Sequence, residues 1–131
     1  MKITADTNIL LRAIVNDDKT QAARAVRVLE QADMVAVSLQ TLCELVWVLH
    51  RGYKVDRADI AEAIRLLLNT KNIVVNRPAA EAGLALLEAG GDFADGVIAY
   101  DGAWLGADTF VSFDKKAVSL LKKQGHATRL L

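Results

Sequence analysis

The chain has 131 residues, 53% of them hydrophobic and 5% aromatic, with sixteen basic residues against sixteen acidic ones. That length fits a single domain over 1–131 with an interior of aliphatic side chains and alanine, and the composition excludes a disordered protein. Zero net charge gives no reason to expect nucleic acid, a membrane surface or an acidic ligand, so the distribution of charge has to decide.

Residues 2–5, KITA, are short and apolar and run into a polar DTN, as a buried strand entering a loop would. Over 19–32, Ala22, Val26 and Leu29 fall at helical spacing among Lys19, Arg24, Arg27 and Glu30, which predicts an amphipathic helix. MVAVS at 34–38 is the second strand, and LQTLCELVWVLHR at 39–51 a helix with Ser38 as N-cap and Gly52 as stop. Asp56 caps a further helix carrying Ile60, Ile64, Leu67 and Leu68, and NIVVN at 72–76 is the third strand. Pro78 suits the first turn of a helix over 78–89, which Gly90 and Gly91 end. A helix over 93–106, a strand TFVSF at 109–113, a helix over 114–124 and a last strand ATRLL at 127–131 complete the chain. Short strands alternating with helices predict an α/β fold: a mostly parallel sheet of about five strands covered by helices on both faces.

Cys43 is the only cysteine, which rules out an internal disulfide and a cysteine zinc cluster. The amino end carries Asp6 and Arg12 where a secretory signal needs an apolar region, so no signal peptide is visible. The longest apolar run without glycine, LVWVL at 45–49, is far below the ~20 residues of a membrane-spanning helix. A soluble cytoplasmic protein with no membrane partner is expected.

In a parallel sheet, sites form beyond the carboxyl ends of the strands. Asp6 follows the first strand and Asp114 follows TFVSF, so the two carboxylates meet if those strands are neighbours. Glu44 is the only polar side chain in LCELVWVL, a segment with no obvious wet face. Either it is a buried carboxylate, costly unless paired or bound to metal, or it sits at the edge of the buried face and reaches water or Arg51. Asp92 is placed to cap the helix after Gly91, and Asp95 is its third residue, where the helix dipole also favours a negative charge. Capping accounts for Asp92; it is incomplete for Asp95, which precedes the apolar turn starting at Val97. Asp101 and Asp108 read as solvated turns, and Asp17 and Asp18 as a loop.

Asp6, Glu44, Asp95 and Asp114 together would make a hard oxygen site suited to magnesium or manganese rather than zinc, with mutual repulsion that calls for a cation. Such a cation activates water and neutralises charge on a phosphodiester. Setting those four aside leaves twelve acidic residues against sixteen basic ones, and Arg12, Lys19, Arg24, Arg51, Lys54, Lys115 and Lys116 are candidates to hold a phosphate backbone.

ADTNILLR at 5–12, the helical Glu44, DFADGVIA at 92–99 and FVSFDKKA at 110–117 resemble, in order and spacing, the PIN-domain ribonucleases, most closely the VapC toxins of toxin–antitoxin pairs. The resemblance covers essentially the whole chain and implies a PIN-like three-layer sandwich. It implies a magnesium- or manganese-dependent endoribonuclease acting on RNA, a homodimer, held inactive by a cognate VapB-type antitoxin. By position, Asp6 and Asp95 would contact the metal, and Glu44 and Asp114 would complete the shell and orient the attacking water. Thr7 and Asn8 match the polar pair after the first aspartate and would stabilise the loop, and Ser112 stands where the family often has threonine. Gly96, unfavourable inside a helix, would permit close approach of a backbone or substrate. Trp47 and Trp104 read as core or dimer-interface residues rather than base-stacking platforms.

Two other readings compete. A phospho-acceptor receiver domain shares the size and an acidic magnesium pocket but needs adjacent acids after the first strand, where this chain has Asp6 and then Thr7. A PIN-like scaffold that binds RNA or protein without catalysis is the third. Cys43 with His50 or His126 does not make a thiol site, because nothing places a histidine beside it; Cys43 is expected in the core.

Overall fold

The computed structural model describes residues 1–131. They divide into two compact units, Met1–Arg77 and Pro78–Leu131. The first contains β1 (Lys2–Thr4), α1 (Thr7–Ile14), α2 (Lys19–Gln31), β2 (Met34–Ala36), α3 (Leu39–Trp47), a π-helical turn (Val48–Gly52), α4 (Arg57–Leu68) and β3 (Ile73–Val74). The second is built from α5 (Arg77–Glu88, begun by the last residue of the first unit), α6 (Phe93–Trp104), β4 (Phe110–Ser112), α7 (Lys115–Lys123) and β5 (Thr128–Leu130).

All strand pairs are parallel. In the first unit the order is β1-β2-β3, with Ile3 opposite Val35 and Val35 opposite Ile73. In the second, β4 pairs with β5 through Val111 opposite Arg129. The expected α/β architecture with five short parallel strands is therefore present, and its ladders are one of three strands and one of two.

Local capping chemistry explains where the helices begin. Ser38, Asp56 and Asp92 accept hydrogen bonds from backbone N–H groups of Thr41, Asp59 and Ala94 at 3.1, 3.0 and 3.1 Å. Each satisfies one of the amide donors a helix leaves orphaned at its start. At the other end of α5, Gly90 adopts φ +101 and donates to Leu87 O, while Gly91 donates to Leu86 O. That pair of bonds is a Schellman cap, and the left-handed residue in it strongly favours glycine.

Three expectations need correction. The stretch after β1 is helix α1, not a loop: Asp6 accepts from the Ile9 N–H at 3.0 Å and starts it, and burial of Leu10 and Leu11 holds it. Thr7 and Asn8 accordingly lie in a first helical turn. On α2 the buried face is Ala22 and Ala25 with Leu29 half-buried, and Val26 is exposed. Asp101 belongs to α6, whereas Asp108 does lie in an exposed connection.

The first unit's interior is aliphatic: Leu10, Val35, Leu42, Leu45, Leu49, Ile60 and Ile64 are at most 1% exposed. In the second unit Leu86, Ala99 and Leu121 form a buried cluster with Phe110 and Leu120 packed against it. Gly96 faces α5 so closely that a Cβ there would stand 2.5 Å from Ala82 O and 2.8 Å from Gly83 Cα. The expected close backbone approach at Gly96 is thus to another helix. No helix is long and apolar enough to cross a membrane.

Candidate functional site

In the second unit, three aspartates are brought together by the starts of two helices. Asp92 caps α6, Asp95 sits in its first turn, and Asp114 caps α7, accepting from Lys116 N at 3.0 Å and Ala117 N at 3.1 Å. The Asp95 carboxyl is half-buried and held above the usual carboxylate range, first by burial, then by the negative charge of Asp92 and then by that of Asp114. All three causes act against ionisation, and none is offset by a cationic side chain. Asp92, assigned from the sequence to capping alone, caps as expected and also adds charge at Asp95. Its place three residues before Asp95 was the signal, since that spacing puts both on one helix face.

Capping orients these carboxylates without consuming them. Asp114 receives both amides on Oδ1, and Asp6 in the first unit receives Ile9 N on Oδ1, which leaves each Oδ2 clear of these bonds. Both residues are exposed. Ser112 supports the loop from β4 into α7, because its Oγ accepts the Asp114 N–H at 2.9 Å. Replacing Ser112 by alanine orphans that amide and is expected to cost about 1 kcal/mol, whereas threonine, which keeps the hydroxyl, should be close to neutral. Chemical denaturation of the two variants beside wild type measures this directly.

Glu44 is exposed, so the expectation of a buried carboxylate is overturned. Helix α3 does have a wet face, made by Gln40, Glu44 and Trp47 at i, i+4 and i+7. Glu44 therefore reaches water, the other reading its sequence allowed. Trp47 at 61% exposure and Trp104 at 80% are not core residues. Cys43 is half-buried. Thr7 is 8% exposed, the one polar residue among the buried set.

Of the cations proposed for a phosphate backbone, Arg12 is engaged: its guanidinium lies 3.0 Å from Asp17, which also accepts from the Tyr53 hydroxyl at 3.1 Å. Arg51, Lys54, Lys115 and Lys116 are exposed and form no ion pair.

Within neither unit do three or more His, Cys, Asp or Glu side chains converge at metal-holding geometry. Asp6 and Glu44 lie in the first unit, Asp95 and Asp114 in the second. Carboxylate oxygens are nonetheless the donor chemistry that a hard divalent cation takes. At Asp95 burial and the like charges of Asp92 and Asp114 raise the cost of ionisation, a cost that a bound cation would lower.

Among protein families, the one described as PIN domain matches residues 3–121, a span that runs through both units. No curated protein matches the chain.

Proposed function

The chain belongs to the PIN-domain family, and from that premise we propose that it is a magnesium- or manganese-dependent endoribonuclease. PIN domains are generally metal-dependent nucleases, so nuclease chemistry is the broad function the family carries. The observation that carries the finer reading is Asp95, a half-buried carboxyl whose ionised form is opposed by burial, Asp92 and Asp114 together. An uncompensated arrangement of this kind is a functional-site signature when it lies in a motif that the fold family shares.

In this reading the site is Asp6, Glu44, Asp95 and Asp114 within one PIN domain over 1–131. Asp6 and Asp95 would hold the cation, and the cap bonds of Asp6 and Asp114 fall on Oδ1 alone. A bound cation of this class lowers the pKa of a water ligand and neutralises charge on the phosphodiester. Glu44, exposed, would complete the shell and help orient the attacking water. Asp114, fixed by two backbone amides and by Ser112, would likewise complete the shell and help orient the attacking water. Thr7 in the first turn of α1 and Asn8 beside it hold Asp6 in place.

The order ADTNILLR, Glu44, DFADGVIA, FVSFDKKA supports a VapC-type toxin, a homodimer restrained by a VapB-type antitoxin. The single cysteine and the absence of a long apolar helix support a cytoplasmic setting. The alternative, a PIN-like module that binds RNA or protein without cutting, is favoured by one observation: no metal-holding group of three side chains forms within either unit. Incubating RNA with the protein in manganese and in chelator separates the two. Cleavage confined to manganese supports the enzyme; RNA binding with no cleavage in manganese supports the module.

A further inference from the structure

The segment that follows Glu44 is irregular in two successive places. Helix α3 passes into a π-helical turn over Val48–Gly52, in which the Tyr53 N–H reaches Val48 O at 3.1 Å. Two residues beyond that turn, Lys54 has φ +54, and it is the only non-glycine residue with a positive φ. π-turns inside helices concentrate at functional sites, and a left-handed side-chain-bearing residue persists only where its surroundings hold it there. Along this stretch Trp47, His50, Arg51, Tyr53 and Lys54 all lie at the surface, while Leu49 between them is buried.

We propose that Trp47, Arg51 and Lys54 form a contact strip for single-stranded RNA, with a base stacked on the Trp47 indole and flanking phosphates on the two cations. The strip starts one helical turn from Glu44 on the same wet face, so it rests on the ribonuclease reading for its place beside the reaction. Its chemistry is that of sequence-tolerant single-strand binding, in which an exposed aromatic ring takes a base and nearby cations take the backbone. Arg51 and Lys54 form no ion pair that a phosphate would have to displace. The Tyr53 hydroxyl between them in sequence donates to Asp17 at 3.1 Å. A protein-docking face would continue apolar around Trp47, whereas its exposed neighbours along the segment, Gly52 and Tyr53 apart, are Gln40, Glu44, His50, Arg51 and Lys54.

The test uses the full chain carrying Asp95→Asn, which removes cleavage, and Trp104→Phe, which leaves Trp47 as the only one of the two indoles. The probe is a labelled oligouridylate of about twelve nucleotides, within the ~4–16-nucleotide range of such sites. Binding is expected to quench Trp47 fluorescence. Trp47→Ala should weaken affinity about tenfold, with Trp47→Phe restoring most of it. Arg51→Gln with Lys54→Gln should flatten the dependence of log affinity on log salt by about 1.4, two phosphate contacts at ~0.7 each. A duplex of the same length should bind with no indole quenching.

Unchanged affinity in Trp47→Ala overturns the strip. So does a Trp47→Ala protein that sediments as a monomer where its parent is a dimer while RNA affinity holds, because Trp47 then belongs to a contact between copies. Cleavage by the protein with Asp95 intact reports on the nuclease reading alone. Indole-dependent binding without manganese-dependent cleavage leaves the strip standing and removes the nuclease; cleavage with Trp47-independent binding does the reverse.

Discussion

Asp95→Asn is expected to abolish manganese-dependent RNA cleavage and, in chelator, to make the protein more stable. The first effect should exceed roughly a hundredfold, since even the outer partners of metal ligands contribute ~10–100-fold. The second follows from the electrostatics of the site. The folded-state pKa of Asp95 is raised by burial and by Asp92 and Asp114. At neutral pH its ionised form therefore costs folding free energy that a neutral amide of the same shape does not. Removing such a functional-site penalty is expected to raise the melting temperature in chelator.

The sign with pH is fixed by linkage. A carboxyl with a raised folded pKa binds its proton more tightly folded than unfolded, so the penalty is relieved as pH falls through that value. The advantage of Asp95→Asn over wild type should then shrink on acidification, not grow. Manganese should invert the order at neutral pH: a ligand at a hundred times its Kd adds about 2.7 kcal/mol to the protein that binds it and nothing to one that does not. Melting curves at several pH values, with manganese and with chelator, read all three effects.

Gly96→Ala is expected to destabilise the protein by up to roughly 2 kcal/mol, the overpacking cost less the gain in helix propensity, and to lower cleavage with it. In a free helix the change would gain ~1 kcal/mol. Here the new methyl meets backbone atoms, Ala82 O at 2.5 Å, Gly83 Cα at 2.8 Å and Ala82 C at 3.0 Å, none of which can turn aside as a side chain does. Helices α5 and α6 must separate, an overpacking cost of ~1–3 kcal/mol. Because Asp95 is the neighbouring residue, that separation displaces the carboxylate too, and a misplacement near 1 Å can cost about a hundredfold in rate. Gly102→Ala in the same helix is the control: a Cβ there meets nothing within 4 Å. It should be neutral or slightly stabilising in thermal melts while Gly96→Ala lowers the transition.

What the sequence makes legible follows from how local each cause is. Ser38, Asp56, Asp92 and the Gly90-Gly91 stop can be read from a few residues because a cap bonds within its own turn. Helix α1 cannot, because Asp6-Thr7-Asn8 has the same polar character whether it opens a loop or caps a helix. What decides it is the burial of Leu10 and Leu11 against the rest of the unit. Glu44 misleads for a related reason: the wet face of α3 is shared with Trp47, and an exposed tryptophan hides the face from any reading based on polarity. The close approach at Gly96 depends on Gly83 and Ala82 of another helix, so the sequence shows an ill-suited glycine and not its partner. Asp95 is legible as a candidate from its motif, but the repulsion from Asp114 that marks it physically arises only when the starts of α6 and α7 are packed together.

Whether these carboxylates hold a divalent cation is tested most directly by calorimetric titration of manganese into wild type, Asp6→Asn and Asp95→Asn. Saturable binding to wild type is expected, and each variant should bind at least tenfold more weakly. Equal affinity in all three proteins, or no binding to wild type at concentrations that support cleavage, would contradict it.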